Sequence, residues 1–131
     1  MTGLVVVAHA GLAAELINAA EMIVGKIEGS ASVEIKPEDS VDEIRLALTS
    51  AINAVSSENI IIMTDMFGGT PSNMSLSFLK ENQIEVLTGV NLPLLIRFAS
   101  DRTRFGVSEL ASLIRDSGRE GVTVAGDYLK K

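Results

Sequence analysis

Residues 3–25 of the chain read GLVVVAHAGLAAELINAAEMIVG, a short apolar run followed by a stretch with helical spacing. Four consecutive apolar residues at 4–7 predict a strand that is buried on both of its faces. From Leu12 to Val24 the apolar residues recur every three or four positions, which predicts an amphipathic helix, and Gly25 is typical of a helix end. This stretch therefore predicts a strand-helix unit of a parallel sheet.

The same alternation of strand and helix continues along the chain. Further strands are predicted at residues 31–35, 60–63, 84–87 and 122–124. Helix starts are predicted at four capping residues, Ser40, Thr70, Asn91 and Ser108. Ser40 forms a capping box with Glu43, Pro71 follows Thr70 at the first helical position, and the last helix runs to Gly118. We therefore predict one α/β domain over residues 1–131, with a doubly wound, mainly parallel sheet and helices on both faces.

The composition excludes several classes of function. The 131 residues include 11 Lys and Arg against 17 Asp and Glu, one His, no Cys and no Trp, with a net charge of −6. Thiolate chemistry, disulfides and sulfur-bound or multi-histidine metal sites are excluded, and we expect no metal and no cofactor, although carboxylate-bound magnesium stays open. Without a basic patch, nucleic acid is not an expected partner. The apolar runs are too short to span a membrane and there is no signal peptide, so we expect a cytoplasmic protein.

Ligands of doubly wound sheets bind at the carboxyl ends of the strands, which selects residues 8–11 and 64–70. His9, the only histidine, ends the first strand, and Asp65 ends the third. If these strands are neighbours, Asp65 can accept the N–H of one ring nitrogen of His9 and leave the other nitrogen as a nucleophile. The alternatives are a histidine that caps a neighbouring group and an aspartate that serves in a turn.

The segment Gly68-Gly69-Thr70-Pro71 has neither the P-loop nor the dinucleotide-binding spacing. An anion could bind to its glycine amides, to the Thr70 hydroxyl and to the helix start. The amides of Ala10 and Gly11 at the first helix are suited to an anion in the same way. The alternative is an ordinary strand-to-helix turn. A lone imidazole, an orienting carboxylate and an anion pocket favour a transient phosphohistidine. Neither loop contains Lys or Arg to hold a phosphate, so we expect the group to be passed on.

Four motifs point to a known family: HAGLA at 9–13 with AEMI at 20–23, DMFGGTPSN at 65–73, GVNLP at 89–93 and GREGV at 118–122. In their order and spacing the chain resembles the IIA component of the bacterial mannose-type sugar phosphotransferase system over nearly its whole length. One departure is Ala10, where the family usually has glycine. If that position has a positive φ, alanine is strained there by about 1 kcal/mol.

The resemblance implies a phosphotransferase with a phosphohistidine intermediate. His9 would accept a phosphoryl group from the carrier protein HPr and donate it to a histidine of a IIB component, with Asp65 orienting His9 and Thr70 contacting the phosphoryl group. It also implies a homodimer that exchanges the strand 122–124 about a hinge at 118–121. No IIB domain is expected within the chain, and the sugar is not specified, because the family's IIA component does not contact it.

Two other hypotheses stay open. One is a regulatory IIA-like phosphoprotein, whose phosphorylation state is sensed by a partner without sugar transport. The other is an unrelated α/β domain in which Asp65 itself is phosphorylated. Neighbouring genes for IIB and membrane components would distinguish the first, and stability of the phosphorylated form in alkali would argue against the second.

Overall fold

A four-stranded parallel sheet forms the centre of the molecule, with the strand order β2-β1-β3-β4. The computed structural model describes residues 1–129. The strands are β1 (Gly3–His9), β2 (Ser30–Ile35), β3 (Ile60–Thr64) and β4 (Ile84–Thr88). Each of the three strand pairs is parallel. The predicted α/β fold with a parallel sheet is confirmed, and β1 and β3 are neighbours at the point where the strand order reverses.

Helices cover both faces of this sheet. They are α1 (Leu12–Val24), α2 (Val41–Val55), α3 (Thr70–Leu76), α4 (Leu92–Asp101), α5 (Val107–Glu120) and α6 (Ala125–Leu129). Leu4, Val6 and Ala8 of β1 pack in one cluster with residues of α1, α4 and α5, whereas Val5 and Val7 pack in a second cluster with residues of α2. Because successive side chains of a strand point to opposite faces, a strand covered on both sides is apolar at every position.

None of the helices within residues 1–129 combines the length and the apolar character that crossing a membrane requires.

Two of the predicted helix caps are present in full. The Ser40 hydroxyl accepts the Glu43 amide at 3.1 Å, and the Glu43 carboxylate accepts the Ser40 amide at 3.0 Å, which is the predicted capping box. Asn91 accepts the Leu94 amide through its side-chain oxygen at 3.0 Å. These side chains pair amides that have no partner inside the helix and so define where α2 and α4 begin.

The other two predicted caps, Thr70 and Ser108, were wrong. Gly69 is the N-cap of α3, which makes Thr70 the first helical residue, and Gly106 is the N-cap of α5. Both glycines have extended backbone, and their carbonyls already accept the first helical bonds, from Asn73 at 2.9 Å and from Leu110 at 2.8 Å. Each helix therefore begins after a glycine N-cap, and the predicted capping residues Thr70 and Ser108 lie within the first turn.

The predicted strand at 122–124 is not formed within residues 1–129 of a single chain. α5 continues to Glu120, two residues beyond the predicted end at Gly118, and residues 122–124 have no regular structure before α6 begins. Val122 and Val124 are 77% and 68% exposed. A three-residue segment gains strand hydrogen bonds only by pairing with another strand, and the sheet of the same chain does not pair with it. Strand exchange between subunits stays a prediction.

Candidate functional site

His9 and Asp65 meet at the carboxyl edge of the sheet. Val7 of β1 is paired with Thr64 of β3, so the residues that follow emerge side by side. The Nδ1 atom of His9 lies 2.8 Å from Oδ2 of Asp65, and the same oxygen accepts the backbone N–H of His9 at 3.0 Å. The proximity predicted from the strand order is thus confirmed, and the two bonds together fix the orientation of the imidazole.

The Asp65 carboxylate is the more enclosed of the two groups. Its side chain is 12% exposed, against 52% for His9. Burial by itself would raise the pKa of the Asp65 carboxyl, but the hydrogen bonds from the His9 amide and ring, together with the charge interaction with His9, outweigh it and hold the pKa below its ordinary value of 3.8. An ionised carboxylate can only accept, so the hydrogen of this bond is on Nδ1, and Nε2 is the ring nitrogen left to offer a lone pair.

The loop between β3 and α3 brings backbone close to the imidazole. Gly68 has φ +85, in the left-handed region that favours glycine. A side chain at Gly69 would place its Cβ 3.4 Å from Cε1 of His9. The two glycines thus let this loop turn tightly beside the ring, and Thr70 follows them at the start of α3. The anion pocket expected here stays a prediction.

Ala10, immediately after His9, adopts a backbone conformation that alanine seldom takes. Its φ is +52, and its amide donates to the carbonyl of Ile35 at 2.9 Å. The positive φ considered from the sequence is therefore present, and it turns the chain from β1 into Gly11, the N-cap of α1. At this φ the Cβ of alanine lies close to the backbone, which strains the conformation by about 1 kcal/mol.

A groove of about 480 Å³ opens beside His9. His9, Ala10 and Thr70 lie along it, whereas Gly11, Gly68 and Gly69 do not. Its other side is formed by the connection from β2 to α2, with Lys36, Pro37 and Asp39.

Lys36 was missed by the sequence analysis, because it follows the second strand, outside the two selected loops. Its place beside His9 follows from the strand order and register of the folded sheet, which the sequence pattern does not give. A loop that follows a strand adjacent to β1 reaches the same edge of the sheet as His9.

Within residues 1–129, no three histidine, aspartate or glutamate side chains are placed together to hold a metal ion. The described groups of the site are an imidazole, the carboxylates of Glu34, Asp39 and Asp65, a hydroxyl, an ammonium and backbone amides. Such a set can bind and orient an anion and can offer Nε2 as a nucleophile.

Comparisons with known proteins agree on one family. The sequence model of the family "PTS system fructose IIA component" matches residues 3–114. The PTS system sorbose-specific EIIA component of Lacticaseibacillus casei is 31% identical over 110 residues, which cover 83% of this chain and 80% of that protein. The PTS system mannose-specific EIIAB component of Escherichia coli (strain K12) is 28% identical over 126 residues, 93% of this chain and 39% of that protein. The crystal structure of phosphotransferase system component EIIA from Streptococcus agalactiae has a TM-score of 0.88 at 27% identity, over 97% of this chain and 99% of that one.

Proposed function

The chain belongs to the fructose/mannose-type IIA family of the sugar phosphotransferase system, and from this membership we propose that it is a phosphocarrier that accepts a phosphoryl group on His9 and passes it on. The observation that carries the proposal is the 2.8 Å contact between Nδ1 of His9 and Oδ2 of Asp65. It directs one ring nitrogen to a carboxylate and leaves Nε2 as the nucleophile.

The donor in this proposal is the phosphohistidine of HPr, and the acceptor is a histidine of a IIB component. Family membership supports both partners, and the name of the mannose-specific EIIAB relative joins an A component to a B component in one protein. The exchange would take place in the cytoplasm. The half-exposed ring of His9 is accessible to a protein of either kind.

The transfer needs no other reactant. The lone pair on Nε2 of His9 attacks the phosphorus atom, the bond from phosphorus to the donor's ring nitrogen breaks, and its electron pair returns to the donor ring. The proton on Nδ1 stays in the hydrogen bond to Asp65, whose negative charge offsets the positive charge that the ring gains. The same events with His9 as donor deliver the phosphoryl group to the acceptor.

The phosphoryl oxygens would be received by the Thr70 hydroxyl and by the backbone amides of Gly68, Gly69 and Gly11. The Ala10 amide, also expected from the sequence to take part, already donates to the Ile35 carbonyl at 2.9 Å. Thr70 lies along the groove with His9, and the backbone of Gly69 passes close to the ring. Backbone amides in such turns favour negative charge without carrying a full positive charge themselves. The group is therefore held for transfer rather than stored.

Labelling with phosphoenolpyruvate, enzyme I and HPr tests the function directly. The wild-type chain should take up one phosphoryl group that is labile in acid and stable in alkali, and His9→Ala should take up none. Because His9 is the only histidine, a phosphohistidine can form nowhere else. His9→Ala must keep the thermal transition of the wild type for the result to count. Label retained by a folded His9→Ala, or label on Asp65, would overturn the proposal.

We also propose that the chain works as a homodimer that exchanges residues 122–124. Two features support this arrangement. β4 lies at one edge of the sheet, and Val122 and Val124 are exposed in the single chain. Pairing of this segment with a strand edge of a second copy would bury both valines and satisfy backbone groups on each side.

A further inference from the structure

Lys36 is the one lysine or arginine that lines the groove beside His9 in the described part of the chain. It directly follows Ile35, the residue of β2 that is paired with His9 of β1. The carbonyl of Ile35 also accepts the Ala10 amide at 2.9 Å. The backbone therefore fixes Lys36 immediately beside the loop that carries His9.

The turn that follows β2 is held by Asp39. The Lys36 amide donates to Oδ2 of Asp39 at 2.8 Å, and the Asp39 amide donates to the Lys36 carbonyl at 3.1 Å. This carboxylate is thus bonded to the backbone of Lys36. The five ion pairs formed among residues 1–129 do not include the Lys36 ammonium, although Glu34 also lines the groove.

A phosphoryl group on His9 would bring further negative charge to a site that is already acidic. Phosphoryl groups on side chains carry about 1.5 to 2 negative charges at pH 7. Asp65 is ionised below the ring, and Glu34 and Asp39 lie along the same groove. Of the described side chains that line the groove, only Lys36 carries a full positive charge to oppose them.

We propose that the Lys36 ammonium binds the phosphoryl group on Nε2 of His9, and so shifts the phosphoryl-transfer equilibrium toward this chain. The inference rests on the proposed phosphocarrier function. It adds a phosphoryl-binding residue from the β2–α2 turn to the groups of the other two loops. A lysine suits the task, because its compact charge on a flexible stem can follow the phosphoryl group between its bound and transferred positions.

The test compares Lys36→Gln, Lys36→Arg and Lys26→Gln with the wild type. Lys26→Gln removes the same charge and is the matched control, since Lys26 lines a different cavity, together with Met1, Ile96 and Thr103. Each protein is equilibrated with phospho-HPr, and the distribution of label is measured. The second pKa of the bound phosphoryl group is measured by 31P NMR, which a merely structural role of Lys36 would not change.

Lys36→Gln should shift the equilibrium toward phospho-HPr by about three- to tenfold and raise the phosphoryl pKa by about 0.5 to 1. Lys36→Arg should stay near the wild type, and Lys26→Gln should change neither quantity. If the wild type is labelled but Lys36→Gln gives the same equilibrium and the same phosphoryl pKa, the role of Lys36 is overturned. Equal changes in Lys26→Gln would overturn it too. In both cases the phosphocarrier function would still stand. A wild type that takes up no label on His9 would overturn the phosphocarrier function and this inference with it.

Discussion

At the scale of single residues, one carboxylate oxygen holds both the backbone and the ring of His9. Oδ2 of Asp65 accepts from the amide at 3.0 Å and lies 2.8 Å from Nδ1. Oδ1 of Asp65 is buried without a hydrogen-bond partner among the described residues. The orientation of the imidazole therefore depends on a single oxygen atom, which makes Asp65 the residue whose replacement says most about the chemistry.

Asp65→Ala is expected to slow phosphoryl transfer about 100-fold while the fold stays intact, because the ring loses the group that orients it and offsets its charge. Rapid-quench measurement of label transfer from phospho-HPr gives the rate. Asp65→Asn keeps an oxygen acceptor but not the charge, so its transfer rate should lie between those of the wild type and Asp65→Ala. A rate for Asp65→Ala equal to that of the wild type would show that Asp65 is structural.

Ala10→Gly is expected to raise the free energy of unfolding by up to about 1 kcal/mol, because glycine adopts φ +52 without strain. The gain is smaller than the strain, since glycine also makes the unfolded chain more flexible. Urea denaturation measures it. Ala54→Gly, on the exposed side of α2, is the matched control and should instead lower stability by about 0.5 to 1 kcal/mol. A loss of stability in Ala10→Gly would contradict the strain at this position.

The contact of His9 with Asp65 could be predicted from the sequence, whereas the place of Lys36 could not. His9 and Asp65 each end an apolar run of β-branched residues, so their positions at the sheet edge follow from the strands themselves. Lys36 lies beside His9 only because Ile35 pairs with His9 in register. Register between two strands depends on tertiary packing, which a single sequence pattern does not display.

At the scale of elements, the start of α4 and the end of α5 are joined by the motifs GVNLP and GREGV. Asn91 accepts the Leu94 amide with one side-chain atom and donates to the Gly118 carbonyl at 2.9 Å with the other. A Cβ on Gly121 would lie 2.5 Å from Cγ of Pro93. The two motifs thus contact each other, and Gly118 and Gly121 permit the close approach of the two helix ends.

Gly121→Ala is expected to lower the free energy of unfolding by about 1 to 3 kcal/mol, because its methyl group would overlap the Pro93 ring. Its backbone φ of −73 is allowed for alanine, so the effect isolates the steric contact. Thermal or urea denaturation measures the change. Gly126→Ala is the control, since its Cβ would meet no atom within 4 Å. Equal stability of Gly121→Ala and the wild type would mean that the helix ends can separate without cost.

The elements themselves were largely predictable, and their first residues were less so. Ser40 was identified correctly because Glu43 completes a reciprocal pair that few other arrangements explain. Thr70 and Ser108 were misplaced because a hydroxyl residue near a helix start can be the cap or belong to the first turn. Which of these occurs depends on the backbone conformation of the glycine before the helix. Glycine allows many conformations, so the sequence does not predict which one is adopted.

At the scale of the whole molecule, the parallel sheet places the loops after β1 and β3 at the carboxyl ends of its strands. Near the amino end of β1, Arg102 donates to the Thr2 carbonyl at 2.8 Å and 3.0 Å. The alternation of strands and helices was sufficient to predict this architecture. The proposed pairing of residues 122–124 is absent from the described single chain, because it would require a strand of a second copy.

If residues 122–124 are exchanged, the wild-type chain should elute as a dimer in size-exclusion chromatography with light scattering. The double variant Val122→Asp, Val124→Asp should shift it toward the monomer, because two charges would be buried at the strand interface. Met22→Asp is the control, since Met22 is an apolar residue of α1 that is even more exposed than the two valines. A folded wild-type monomer would count against the exchange.

The groove beside His9 also has a consequence for the order of events in the proposed phosphoryl transfer. Because Nδ1 is directed to Asp65, Nε2 is the one nitrogen through which a phosphoryl group can arrive and leave. If His9 carries the phosphoryl group as proposed, the donor and acceptor proteins would have to bind at the same site one after the other, and a complex of all three proteins would be unproductive. The proposed carrier would then show double-displacement kinetics, in which an excess of either unphosphorylated partner slows the reaction with the other.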